Sequence, residues 1–582
     1  MRYNIRKIRM GFGAFCLILS CSCDIAPSEV VLDGKEEEPT NSDGAHHRPS
    51  ARQGSQTAIL EAAEAPNKRP NIVLIVADDL GYFDIGAFGG EIRTPNLDAL
   101  AQKGVRFRQL RAAPVCAPSR AMLMTGADNH IVGIGSQFPT GAQIGAPGYE
   151  GFLSSDAVTV PEVLRDAGYN TFMVGKWHLG LKEEHSPAAR GFQSSFALLL
   201  GAGGHFDMTG PGPPEAVKAI YREDGKLVDE LPSDFYSTDF YTDRIINDIE
   251  ENRPDGKPFF AYVAYTSPHW PLQAPEEYLN KYKGAYNSGY EEKCLSRFEN
   301  AKSMNVIPSN TEFNGCRSVA RPWASLSEEE RRREARLMEI YAAMVDNLDF
   351  NIGRIIDHLE SIGELENTFI FFMSDNGADE GRHSQMPQVS KWIETNFDNS
   401  LENLGHTGSY AAYGQGWATV GMSPLKDFKG KVSDGGIRVP AIVYYPPFVK
   451  TGAWFESAIT NRDIAPTLFE LAGAKYPTDS KIHLEGKSFI GELRDPSQRT
   501  HSGQEVFSWE QEGSKAVIQG EWKLVRNVRP IDNGWRLFNL REDLFEENDL
   551  SAQVPEKVQE MIVLYEQYAQ KVGVVDGMSA TE

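Results

Sequence analysis

Residues 71–79 read NIVLIVADD, and this run decides the fold. The apolar residues from Ile72 to Ala77, most of them β-branched, leave no polar face for solvent. They predict a strand buried on both sides within a parallel sheet. Working outward, the same texture returns at TFMV (171–174), PFFAYV (258–263), TFIFFM (368–373) and Ala441–Tyr445. Helical signals stand between these runs. Thr94-Pro95-Asn96 opens one helix and Gly104 ends it. Another, from about Glu328 to Leu359, carries Leu337, Tyr341, Met344, Leu348, Ile352, Ile355 and Leu359 at three- and four-residue steps. That stripe predicts core packing and no other role. The alternation predicts an α/β sandwich, a large and mostly parallel central sheet flanked by helices. After about residue 480 the segments shorten, predicting a small C-terminal antiparallel sheet covered by one helix over Pro555–Val572. The expected organisation is a signal segment over 1–23, a disordered tether over 24–68, a large domain over 69–478 and a C-terminal subdomain over 479–582.

The 582 residues carry a net charge of −23 and are 41% hydrophobic. Wholesale disorder is excluded, and so is a nucleic-acid binder dependent on clustered Lys and Arg. Six cysteines are too few for a disulfide-rich scaffold, and three of them, Cys16, Cys21 and Cys23, crowd the N-terminus. There Arg2, Arg6, Lys7 and Arg9 precede the apolar run GFGAFCLIL and then Ser20-Cys21. This describes an export signal too short to span a bilayer. Ile18-Leu19-Ser20-Cys21 resembles a bacterial lipobox, which makes Cys21 the expected lipidation site; Cys23 and an ordinary cleaved signal are the alternatives. The expected location is the periplasm or cell envelope of a bacterium, with the membrane met only through that N-terminal anchor.

In doubly wound sheets ligands bind beyond the C-terminal ends of strands. Asp78-Asp79 ends the first strand, and Asp375-Asn376 follows TFIFFM. Four oxygen donors without a thiolate or imidazole suit a hard cation, Ca²⁺ or Mg²⁺. Helix capping is the competing reading of either pair alone. Cys116-Ala-Pro-Ser-Arg120 places a cysteine at a helix start with an arginine one turn on, an arrangement that favours an anion. A lone cysteine is more often an inert buried residue.

Taken together, VADDLG (76–81), CAPSR (116–120), GKWHLG (175–180), SPHWP (267–271), SDNG (374–377) and KGKVSDGGIR (429–438) resemble, in order, the motifs of type I, formylglycine-dependent sulfatases of the alkaline phosphatase superfamily. Residues 84–92 and 398–405 point toward the bacterial arylsulfatases within them. The resemblance covers roughly residues 69–575 and implies a sulfuric ester hydrolase, cleaving an organic sulfate monoester to an alcohol or phenol plus sulfate. It implies that Cys116 is oxidised to formylglycine by a formylglycine-generating or sulfatase-maturing enzyme, and that the gem-diol of the hydrated aldehyde is the nucleophile. It implies Asp78, Asp79, Asp375 and Asn376 as ligands of a divalent metal, Ca²⁺ with Mg²⁺ as the alternative. Arg120 and Lys176 would steady the formylglycine and the sulfate, with Lys176 counted among the substrate-binding groups, and His178 would accept a proton. His269 and Lys429 would bind sulfate and act as general acid. Lys426 and Lys431 are neighbouring candidates. A phosphonate monoester or phosphodiester hydrolase using the same site is the alternative reading. The substrate is expected to be a small-molecule or saccharide sulfate ester, with selectivity in 136–157, 201–235, 280–326 and 380–420.

Cys294 and Cys316 bracket a polar stretch and, in an oxidising compartment, would close a disulfide around it; free thiols are the alternative. The acidic net charge does not exclude an anionic substrate, because salt screens a global charge over about 10 Å. Asp78, Asp79 and Asp375 set against Arg120, Lys176, Lys429 and a divalent ion leave the site cationic by about two charges.

Overall fold

The computed structural model describes residues 68–577 apart from 214–215, 317–320, 450 and 528–533. The signal segment, Cys21 and all of the tether but Lys68 lie outside the described residues. The central sheet has ten strands. Its core is β1 (Asn71–Ala77), β2 (Asn170–Lys176), β3 (Phe259–Ala264), β4 (Thr368–Ser374) and β5 (Ala441–Tyr444). β1 lies between β3 and β4 and runs parallel to both, with Val73 opposite Ala261 on one side and Ile370 on the other. β2 continues the parallel set beyond β3, whereas β5 is antiparallel to β4. The sheet is therefore mostly parallel, with its reversals toward the edges.

The unbroken apolar texture of β1 has a direct packing cause. Val73, Ile75 and Ala77 join one hydrophobic cluster and Ile72, Leu74 and Val76 another, one on each face of the sheet. α2 (Glu328–Ser361), named after α1 (Cys116–Thr125), packs its apolar stripe into the first cluster. A Ser327–Glu330 capping box starts it, satisfying otherwise unpaired backbone donors. Residues on the C-terminal side of position 478, including Phe489, Ile490 and Leu493, pack in the second cluster of the large domain. The four-stranded antiparallel sheet begins at Val506, and α3 (Pro555–Val572) covers it through Val558, Met561 and Tyr565. Cys294 and Cys316 are disulfide-bonded, with Cα atoms 5.7 Å apart.

Two buried charge clusters tie the small sheet to the large domain. In one, Lys523 bridges Asp434, at 2.7 Å, and Glu546, while Arg111 makes a bidentate pair with Asp434. In the other, His130 lies between Asp128 (Nδ1 to Oδ1, 2.9 Å) and Glu510 of the first subdomain strand (Nε2 to Oε2, 3.4 Å), and Tyr568 of α3 donates to Asp128. Burial alone would lower the His130 pKa, but hydrogen bonds to the two carboxylates carry it up to about 9 from 6.5. A raised folded-state pKa stabilises fully below the unfolded value and is lost as pH rises through the folded one. His130→Gln is therefore expected to lower the Tm near pH 6 and to flatten the fall in Tm between pH 6.5 and 9. Thermal melts across that range check this, and an equally steep fall in the variant would refute it.

Candidate active site

The site lies at the C-terminal ends of β1 and β4, where sequence placed it. Asp375 N donates to Ala77 O (3.1 Å) and Asp79 N to Asp375 Oδ1 (3.3 Å), so the two strand ends hold each other in register. Asn376 Nδ2 donates to Asp79 Oδ1 at 2.6 Å. Asp78, Asp79, Asp375 and Asn376 are all buried. Asp79 has φ 66° and His178 φ 59°. Left-handed backbone at non-glycine residues is uncommon, and here the surrounding hydrogen bonds and packing hold it at two site residues.

Each anionic group has a cation. Lys176, at the end of β2, donates to both oxygens of Asp78 at 2.7 Å. Arg120, one turn into α1 and fully buried, meets Asp375 Oδ2 through Nε and Nη2, both at 2.8 Å, and gives Nη1 to Lys176 O. Lys429 donates to Asp79 Oδ2 at 2.9 Å. Cys116 opens α1, and its Sγ lies 3.6 Å from Asp78 Oδ1 and 3.7 Å from Asp79 Oδ1. Burial pushes the thiol pKa well up. His269 Nε2 is 3.3 Å from Asp79 Oδ2 while Nδ1 donates to the Trp270 carbonyl. That carbonyl can only accept, so the neutral ring presents Nε2 as an acceptor. Burial, then the charges of Lys176, Arg120 and Lys429, hold His178 neutral, and its Nδ1 is buried without a hydrogen-bond partner among the described residues.

The expected catalytic and metal residues other than His178 are thus joined in one cluster by direct contacts, and His178 adjoins it within the field of Lys176, Arg120 and Lys429. Of the three lysines, Lys426 turns away to Glu546 O and Lys429 enters the site. The loop bearing Lys429 is brought close by glycine: a Cβ on Gly377 would meet Gly435 O at 2.1 Å. Asp434 in the same loop is the residue gripped by Arg111 and Lys523, so the C-terminal sheet supports the loop from behind.

Three features were missed by sequence reasoning. Asp379, three residues after Asn376, accepts from Lys429 Nζ (3.1 Å) and Trp270 Nε1 (2.8 Å). As a fourth carboxylate it lowers the expected surplus from two positive charges to about one, counting a divalent ion. Its position in the loop after an acidic strand end was the available signal. Tyr341, assigned to core packing alone, also lines the cleft and donates to Asp84 at 2.6 Å. The cleft wall further includes Trp270, Leu272 and Tyr413, of which only Tyr413 belongs to an expected selectivity segment.

The donor set fits a hard cation. Asn376 Oδ1 is a buried acceptor with no hydrogen-bond partner among the described residues, and the four expected ligands offer only oxygen, with Cys116 Sγ and a His269 ring nitrogen beside Asp78 and Asp79 in the same cluster. Burial raises the Asp78 pKa to about 6 and that of Asp79 well above its ordinary value, while the neighbouring lysines pull both the other way.

A family model described as Sulfatase matches residues 70–474, and one described as N-sulphoglucosamine sulphohydrolase, C-terminal matches residues 428–570. An uncharacterized sulfatase of Schizosaccharomyces pombe is 40% identical over 535 residues, covering 88% of this chain and 95% of its own. An arylsulfatase of Klebsiella aerogenes is 39% identical over 417 residues, covering 71% and 88%. Among solved structures, Ps i-CgsB in complex with k-i-k-neocarrahexaose shares 27% identity and a TM-score of 0.62, covering 86% of this chain and 93% of its own.

Proposed function

We infer the chemistry of the site from its family: the chain belongs to the sulfatases, type I enzymes of the alkaline phosphatase superfamily, and is a hydrolase of sulfate esters. We propose that it cleaves an organic sulfate monoester with formylglycine made from Cys116 by a maturation enzyme. The observation that carries this is the placement of Cys116 at the start of α1, in contact with Asp78 and Asp79 and within the field of Lys176 and Lys429. Asp78, Asp79, Asp375 and Asn376 would hold Ca²⁺ or Mg²⁺. Such an ion, together with the hydrated aldehyde, would supply Lewis-acid polarisation and a hydroxyl nucleophile.

The chain's own groups do the rest. Arg120 is immobilised by Asp375 and by Lys176 O, so its charge needs no reorganisation as negative charge builds on the sulfate. Lys176, held on both oxygens of Asp78, contributes a second fixed charge and would bind sulfate. His178, kept neutral, accepts a proton at its unpartnered Nδ1. Lys429 is charged and would offer N–H donors to the leaving oxygen. His269 would bind sulfate only as the imidazolium, with Nε2 donating, because its Nδ1 proton is committed to Trp270 O.

A comparison of p-nitrophenyl sulfate with a phenyl phosphonate monoester on the mature enzyme tests the reaction. The sulfate is expected to turn over faster, and markedly faster phosphonate turnover would overturn the assignment. The relative bound to a neocarrahexaose supports including sulfated saccharides with aryl and alkyl sulfates in the substrate screen. The N-terminal signal and the Cys294–Cys316 pairing support an exported enzyme, anchored through Cys21, and no described helix is long and apolar enough to cross a membrane.

A further inference from the structure

We propose that Asp379 is a positioning residue for the leaving-group side of the reaction, acting through Lys429; this rests on the reading of Lys429 given above. Asp379 is locked from three directions. Its Oδ1 accepts from Gly381 N at 2.9 Å, and its Oδ2 accepts from Trp270 Nε1 at 2.8 Å and Lys429 Nζ at 3.1 Å. Side-chain exposure is only 14% for Asp379 and 10% for Lys429. The backbone repeats the link, since Lys429 N donates to Ala378 O at 3.0 Å.

A lysine ammonium has three donors on a flexible four-carbon stem. Asp79, with both oxygens 2.9 Å from Nζ, and Asp379, with Oδ2 at 3.1 Å, hold it together, so the pair fixes the ammonium beside the cleft that both carboxylates line. With the Asp379 carboxylate replaced by an amide or a hydroxyl, the charge-assisted second anchor is lost and the ammonium is held mainly by Asp79. As the sulfur–oxygen bond to the leaving group breaks, that oxygen takes the bonding pair and a proton from Lys429 Nζ, which water restores before the next turnover. Misdirecting this donor costs most where the leaving oxygen is most basic.

The test is Asp379→Asn measured with an alkyl sulfate and with p-nitrophenyl sulfate, alone and in a Lys429→Ala background. On the alkyl sulfate kcat/KM is expected to fall about 30-fold, against about threefold or less on p-nitrophenyl sulfate, with KM changing little. In the Lys429→Ala background Asp379→Asn is expected to add less than about twofold, the signature of a residue acting through its partner. Equal losses on the two substrates, no loss on either, or an undiminished loss without Lys429 would each overturn the inference. Asp379→Ser gives the same comparison should Asp379→Asn fail to fold, as judged by thermal melting. Turnover surviving in Cys116→Ala would sink the reading of the site itself, whereas flat Asp379 results beside an inactive Cys116→Ala sink this inference alone.

Discussion

Cys116→Ala lowers kcat by about 10⁴-fold or more, the scale on which enzymes lose a covalent nucleophile, while the protein stays folded. The two halves of this expectation come from different parts of the structure. Cys116 is 1% exposed at the first turn of a helix whose other residues are also buried. Removing one sulfur there leaves the helix, Arg120 and the sheet contacts in place and opens only a small cavity, for a cost of about 1 kcal/mol. The chemistry has no such reserve. Burial holds an unmodified thiol protonated, and Arg120, Lys176 and Lys429 contribute charges or donors rather than a second nucleophile. Mass spectrometry of the peptide spanning residue 116 in the mature wild type completes the test. Formylglycine replaces sulfur with oxygen and removes two hydrogens. An active preparation carrying only intact cysteine at 116 would exclude the modified nucleophile.

How much of this was legible beforehand depends on the range of the interaction involved. β1 was readable because burial on both faces leaves a local mark, an unbroken apolar run, and α2 because its stripe repeats with the helical period. The acidic strand ends were readable because the C-terminal edge of a parallel sheet is where side chains converge. What no local pattern records is pairing across long separations. Arg120 meets Asp375 at a separation of 255 residues, and Lys429 meets Asp79 across 350. Without the family's motifs, nothing in the sequence matches those partners. Asp379 was overlooked for the same reason, because its meaning comes from Trp270 and Lys429 and not from its neighbours in sequence. The left-handed backbone at Asp79 and His178 was also invisible, because aspartate and histidine visit that region without the glycine that usually announces it. Tyr341 shows the converse limit: a residue in perfect helical register can serve the core and the cleft at once.

Asp375→Ala is the second large effect expected, and unlike Cys116→Ala it reaches both stability and activity. Asp375 anchors Arg120 through a hydrogen bond from Nε at 2.8 Å, with Nη2 in ion-pair contact at the same distance, and the nearest other carboxylate, Asp78, is 3.5 Å from Nη2 and already engaged by Lys176. Removing Asp375 leaves a fully buried guanidinium undercompensated, a change that costs about 3–5 kcal/mol in comparable buried pairs. The same substitution removes one of four oxygen donors and loosens a fixed charge beside the sulfate, for a loss of about 10²–10³ in kcat. Asp375→Asn separates the two contributions. It keeps an oxygen that can accept one Arg120 bond, so it should recover much of the melting temperature but little of the activity. Chelation provides the matching control: wild-type enzyme treated with EDTA is expected to lose activity and regain it on adding Ca²⁺ or Mg²⁺, whereas Asp375→Asn regains little at the same concentration. Asp375→Asn with wild-type activity and unchanged metal dependence would remove Asp375 from the ligand set and leave it only its grip on Arg120.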